Sequence, residues 1–298
     1  MSFPGTWVDK PAVDGDGRTG GPSGPHAATV LGAVRDDVRQ TLRCAWLDPA
    51  LDAVAGYPVF FTAAWSAVRP NVGKSFHLAA KGLREAAVDA VGEPLRAPDL
   101  RRRLEADLGE EELRRVEDCA RAAHQATAKV QLVVHALLRT VRRERISGTG
   151  REESPVRRGI PEWQRWMSFQ PSADGHPPIV HDVMEALDLP AAPATMRLFG
   201  RWPAALTSLS DELLARVGTD AWTAGATRVR RALVAGMTTL PHPIELQWMA
   251  LRERGFEEDD RASLAQVLSR HDAAMGHHTL VAAFAWAAFG APDIGTDH

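Results

Sequence analysis

The chain has 298 residues, 45% hydrophobic and 24% charged, with 35 Lys and Arg against 38 Asp and Glu for a formal charge of −3. That composition suits one large or two ordinary globular domains, lacks the basic footprint of a nucleic-acid binder, and holds no apolar run of the ~18 residues a membrane span needs. Two cysteines, Cys44 and Cys119, fall in helix-like stretches and fit a cytoplasmic protein with reduced thiols.

Residues 1–27 are rich in Gly, Pro and Asp and read as a flexible arm without the basic start and apolar core of a signal peptide. Within it, "DGDGRTGG" (14–21) has the look of a calcium loop, but the twelfth position is Pro25 where a bidentate Glu is needed. Helical spacing dominates from Val30. "VLGAVRDDVRQTL" puts apolar residues at 30, 31, 34, 38 and 42 on one face. "PVFFTAAWSAV" (58–68) opens on a proline and gathers Phe61, Ala64, Trp65 and Val68. The run "RRRLEADLGEEELRR" (101–115) carries both signs at helical spacing and reads as solvated surface. "EELRRVEDCARAAHQATAKVQLVVHALLRTV" (111–141) is one long helix or two stacked ones.

"SGTGREESPVRRG" (147–159) is polar, carries Gly and Pro, and reads as a linker. "DDRASLAQVLSRHDAAMGHHTLVAAFAWAAFG" (259–290) is the counterpart of the first long helix, stopped by Gly290 and Pro292. No convincing alternating strand is found, so the expected fold is all-α.

The chain repeats itself. A shift of 145 lays Asp37 on Asp182, Val38 on Val183, Leu42 on Leu187 and Tyr57-Pro58 on Trp202-Pro203; a shift of 147 lays His124 on His271 and Ala126 on Ala273. Two helical pseudo-repeats, residues 28–146 and 176–292 joined by a linker at 147–175, predict an internal pseudo-dimer with a cleft between its halves.

The pattern "DDVRQTLR" with a Trp just after it, "YPVFFTAAW", "IPEW" at 160–163 and "RWPAALTSLSDELL" resembles the group I (D,L-) 2-haloacid dehalogenases, also called halocarboxylic acid dehydrogenases. The likeness runs over roughly residues 28–290. It implies an all-α pseudo-repeat fold and hydrolysis of 2-halocarboxylic acids by direct attack of water, with no ester intermediate. It also implies an Asp base in the second repeat, an Asn on the first long helix that helps hold the water, and a Trp lining the pocket. The Trp falls on Trp46, the Asp on Thr195 and the Asn on or near Thr127. No Asp or Glu occurs from 189 to 210. A threonine hydroxyl cannot take a proton from water at neutral pH, and general-base help is worth ~10²–10⁴ in rate.

Substitute chemistry points first to histidine. His124 and His271 hold matching places in the two long helices, and His278 shares a face with His271, Leu264, Leu268, Met275 and Ala282. They are candidate bases; the blander account has them buried and hydrogen-bonded to backbone, Asp272 or Gln131. His271 and His278 lie two turns, roughly 10 Å, apart, so they do not share a metal; no metal and no cofactor are expected. His124, His278 and Thr195 are thus the candidate catalytic residues, and Trp46, Thr127 and His271 the candidate substrate contacts. Thr127 and Thr195 could donate hydrogen bonds to a carboxylate, or simply pack. Asp48 could be a relocated base, although "LDPA" reads more naturally as a helix start with Asp48 as its N-cap. Asp37 and Asp182 match across the repeats; functional symmetry is one reading, but both lie on the polar side of their helices and read rather as solvated residues or members of interface salt bridges.

The expected function is a dehalogenase-like displacement at carbon on a small carboxylate-bearing substrate, with classical hydrolysis in doubt. The alternatives are another displacement or cyclisation, or a non-catalytic binder or scaffold. The expected partner is that small molecule, with a homodimer left open, and neither nucleic acid nor a membrane.

Overall fold

Pro49, Pro58, Pro178 and Pro203 each stand in the first turn of a helix, where the missing N–H costs nothing and the fixed φ is already helical. They punctuate a fold of eleven α-helices, with no strand among the described residues. The computed structural model describes residues 25–153, 156–169 and 177–290. The first five helices are α1 (Pro25–Leu42), α2 (Pro49–Ala55), α3 (Pro58–Val68), α4 (Lys74–Val91) and α5 (Leu100–Val141). The other six are α6 (Pro178–Ala186), α7 (Ala194–Phe199), α8 (Pro203–Leu214), α9 (Asp220–Met237), α10 (Trp248–Glu253) and α11 (Glu258–Ala288). The all-α architecture is as the sequence predicts. Of the N-terminal arm, residues 1–24 and the calcium-like stretch lie outside the described residues, and α1 takes up the chain at Pro25.

Helices α4 and α9 are both 18 residues long and begin and end 146 positions apart. Helices α5 and α11 end 147 positions apart. The helix ends correspond too. Arg43 (φ 56°) follows α1 and Asp188 (φ 49°) follows α6; Arg143 (φ 60°) follows α5 and Gly290 (φ 64°) follows α11. These left-handed residues stop a helix and free the chain to turn.

The charged run at 101–115 is helical, as its spacing suggests, but α5 breaks within it. Gly109 takes φ 72° and ψ 163°, a conformation open to glycine and costly for other residues. Arg101 clamps the break by pairing with Glu110 on its far side and with Glu117.

The two long helices run antiparallel through the middle of the molecule. His124 of α5 stacks on Trp286 of α11, the Gln131 amide donates to Met275 O at 2.7 Å, and the Arg142 guanidinium donates to Ser269. Helices α4 and α9 are also antiparallel and packed at close range. A Cβ on Gly225 would stand 2.9 Å from that of Ala90, and one on Gly236 would stand 2.9 Å from that of Ala79.

The expected linker is held along the surface of these helices. Ile146 and Ile244 form an isolated antiparallel bridge, and Thr149 N and Gly150 N donate to the carbonyls of Leu240 and Pro241. Glu153 accepts from Ser75 N at the start of α4. Further along, Gly159 N donates to Gln40 O at 2.9 Å, and Arg158 pairs with Asp37. Asp37 also accepts from Trp65 Nε1 at 2.7 Å and pairs with Arg69. Burial pushes its carboxyl pKa upward, but these partners outweigh that and hold it below the usual value. Asp182, its sequence counterpart, is exposed.

Candidate active site

Between α1 and α2 the chain makes a tight turn that carries Trp46. Cys44 N reaches back to Arg39 O at 3.0 Å, Arg43 supplies the left-handed step, and Asp48 caps α2 by accepting from Ala50 N at 3.0 Å. Trp46 is thereby turned inward, 5% exposed, with its ring 5.8 Å from that of Phe169. Its Nε1 is buried and has no hydrogen-bond partner among the described residues.

Trp46 and Phe169 stand in the wall of an open cleft of about 900 Å³ formed by α1, the α1–α2 turn, residues 159–169 and α7. Four arginines line it. Arg35 pairs with Asp52 at 2.6 Å and Arg39 with Asp36 at 3.1 Å, both partners also lining the cleft. Arg197 holds its guanidinium 4.3 Å over the Phe169 ring, a cation–π arrangement; Arg165 is exposed. The sequence alone does not single out Arg197. Its signal is weak: a basic residue two positions past Thr195 in a six-residue helix.

Asp48 stands between Leu47 and Pro49, which both line the cleft. It is half-buried by surface, and the protein around its carboxyl leaves little room for hydration. Burial lifts its pKa to about 6, against the opposing pull of the Ala50 N–H and of Arg197. The expected capping role is therefore observed, and the same residue is a carboxylate poised near neutrality.

Thr195 lies in the first turn of α7, 1% exposed, with its Oγ1 also unpartnered among the described residues. Helix α7 packs against α5, the helix that carries the buried Thr127. Two positions along α5, and about 200° around it, Lys129 is fully enclosed and donates its Nζ to Leu42 O at 3.2 Å. The sequence does not single out this buried amine either. It looks like one more helical charge until α1 is seen packed over it. Its charge acts on Cys44, but burial dominates there and pushes that thiol up to about 12.

The three histidines lie in the helical core, and none lines the cleft. Burial, with Arg84 nearby, drives His124 down to about 3; its ring stacks 5.1 Å from Trp286 and its Nδ1 has no partner among the described residues. Burial, with Arg270 nearby, drives His271 to about 4. Burial, with His271 and His277 nearby, drives His278 to about 3, and its Nε2 is likewise unpartnered. Because α5 and α11 are antiparallel, their matching positions point to opposite ends of the pair. His124 is level with Trp286, fifteen residues from His271 along α11, or about 22 Å at ~1.5 Å per residue. The structure thus brings Trp46, Arg197 and Asp48 together, and keeps His124 and His271 apart.

The partners considered for the histidines are engaged elsewhere. Asp272 lies 2.5 Å from His135 Nδ1 and 3.1 Å from Arg230, and Gln131 accepts from Thr279 Oγ1. Among the described residues no three His, Cys, Asp or Glu side chains gather as a metal set, and no helix is long and apolar enough to cross a membrane.

No family model matches the chain, and no curated protein does. Solved structures do. A D-2-haloacid dehalogenase in complex with L-LA superposes with a TM-score of 0.78 at 18% identity, over 87% of this chain and 92% of that one. A D-2-haloacid dehalogenase mutant with D-2-CPA also gives 0.78, at 19% identity, over 87% of this chain and 91% of that one. The chain has a haloacid-dehalogenase-like, all-α fold.

Proposed function

We propose that the protein is an enzyme of the dehalogenase type that catalyses displacement at a carbon next to a carboxylate, in a cleft between two pseudo-repeats. Arg197 anchors the substrate carboxylate, and Trp46 and Phe169 pack against its apolar part. Asp48, and not a residue of the second repeat, serves as the proton acceptor for the attacking water. Thr195 and Thr127 stand at the places where the resemblance puts the Asp base and the Asn, and supply hydrogen-bond donors instead. His124, His271 and His278 stay neutral in the helical core, off the cleft, and take no part in the proton transfer. A base with a pKa of 3 to 4 is mismatched to proton transfer at neutral pH, whereas one near 6 is well placed.

The observation that carries this reading is the pattern of unpartnered polar atoms. Trp46 in the cleft wall, and Thr195 on α7 two positions before the cleft-lining Arg197, each hold a buried N or O with no partner among the described residues. A buried polar atom left unpaired costs ~1–3 kcal/mol, so these two atoms in and beside the cleft wall mark a place built to receive polar groups from outside the chain.

The test is halide release from both enantiomers of 2-chloropropionate. The wild-type chain is expected to release chloride, and Asp48→Asn, which keeps the cap on α2, to lose ~10²–10⁴ in kcat. Absence of release from either enantiomer, or undiminished release by Asp48→Asn, overturns the proposal.

A further inference from the structure

Beside the cleft lies a second groove of about 430 Å³, and the two share Gly159, Ile160 and Arg165 as a common wall. Its lining is one-sided in charge: Arg43, Arg157, Arg158 and Arg165 against Glu162 alone. The chain as a whole carries −3, so this is a local concentration. Arg158 is occupied by Asp37. Arg157 and Arg165 are exposed, and their side chains form no ion pair or hydrogen bond among the described residues.

The backbone that presents these arginines is fixed. Gly159 N and Ile160 N both bond to Gln40, through its carbonyl and its side-chain oxygen, and Gly159 holds φ 107°. On the same segment Trp163 lies under the guanidinium of Arg121, 4.2 Å away. Exposed like charges close together repel, so Arg157 and Arg165, whose side chains pair with no acid among the described residues, gain from an anion between them.

Size points the same way. A cleft of about 900 Å³ lies in the range of ~300–1,000 Å³ that takes a drug-sized ligand, far more than a three-carbon haloacid fills. The adjoining groove extends that space toward Arg157.

We propose that the ligand of this cleft is a small molecule carrying two anionic groups: a carboxylate at Arg197 and, across the shared wall, a phosphate or comparable dianion clamped by Arg157 and Arg165. The planar guanidinium fork suits bidentate contact with phosphate oxygens, and two forks suit a dianion better than a carboxylate. This inference rests on the cleft being the substrate site, but its readout is binding, so it does not depend on halide release.

Isothermal titration calorimetry at low ionic strength, with inorganic pyrophosphate and acetate as probes, tests it. Pyrophosphate is expected to bind the wild-type chain more than about tenfold tighter than acetate. The doubly substituted Arg157→Ala, Arg165→Ala chain is expected to lose about tenfold or more of that affinity, with its helical circular dichroism unchanged. Equal pyrophosphate affinity in both chains overturns the proposal. So does tight binding of a short single-stranded oligonucleotide with none of pyrophosphate, which would make the groove a nucleic-acid surface. Failed halide release with arginine-dependent pyrophosphate binding would remove the assigned reaction and leave the anion site standing.

Discussion

Asp48 combines two roles that pull against each other. As an N-cap it stabilises α2 through Ala50 N; as a carboxyl short of water it prefers to be neutral. Its pKa rises from 3.8 to about 6 on folding, so the folded chain holds the proton more tightly than the unfolded one. The stability this contributes is fully present below pH 3.8 and is lost as pH rises through 6. Asp48→Asn keeps the cap and removes the charge. Denaturant unfolding is expected to show the variant about 1–3 kcal/mol more stable than wild type at pH 8, and no different below pH 3.8. Thr195 makes a parallel case. Its buried Oγ1 has no partner among the described residues, so Thr195→Val, of similar shape, is expected to stabilise the chain by about 1 kcal/mol while lowering turnover. A loss of stability in that variant would mean the hydroxyl is already satisfied within the fold. Stability held below its optimum at functional positions is a common trade.

At the scale of elements, small residues set how closely the helices pack. A Cβ on Gly276 of α11 would meet Ala226 O at 2.6 Å, and one on Gly236 of α9 would meet the Ala79 side chain at 2.9 Å. Backbone on one side and a packed helix on the other leave nothing flexible to yield. Thermal or denaturant unfolding of Gly276→Ala and Gly236→Ala is expected to show losses of roughly 1–3 kcal/mol or more. Gly82, inside α4, is the control, because a Cβ there would have nothing within 4 Å. Gly82→Ala is expected to gain about 0.5–1 kcal/mol. Equal effects at the three sites would contradict the close packing of α4 with α9 and of α9 with α11. The helices themselves are legible in the sequence because their apolar spacing, prolines and stop signals are local. The break at Gly109 is not, because a glycine within a charged helical run looks tolerable until its left-handed φ is known. The antiparallel crossing of α5 and α11 is also hidden. Matching positions suggest that His124 and His271 converge, but the crossing sends them to opposite ends. Lys129 and Arg197 escape notice for a related reason: each is an ordinary helical cation until α1 or Phe169 is packed against it.

At the scale of the whole molecule, three buried neutral histidines dominate the response to acid. His124, His271 and His278 fall from 6.5 in the unfolded chain to about 3, 4 and 3 in the folded one. Between those values the unfolded state binds more protons, so their contribution is complete above pH 6.5 and is lost as pH falls. Each contributes a slope of up to ~1.4 kcal/mol per pH unit, while Asp48 opposes with one such slope between pH 6 and 3.8. The balance predicts acid unfolding with a midpoint between about pH 6 and 4, followed by circular dichroism. His124→Phe keeps a ring against Trp286 and is expected to move that midpoint to lower pH. An unchanged midpoint would show that His124 is not held neutral.

The same separation of pKa values makes the central claim directly measurable. Asp48 titrates near 6 and the histidines near 3 to 4, so the pH profile of halide release from 2-chloropropionate reports which group accepts the proton. With Asp48 as the base, kcat/KM rises with pH along an acid limb centred near 6 and then levels off. An acid limb near 3 to 4, or one that persists near 6 in Asp48→Asn, would contradict the assignment.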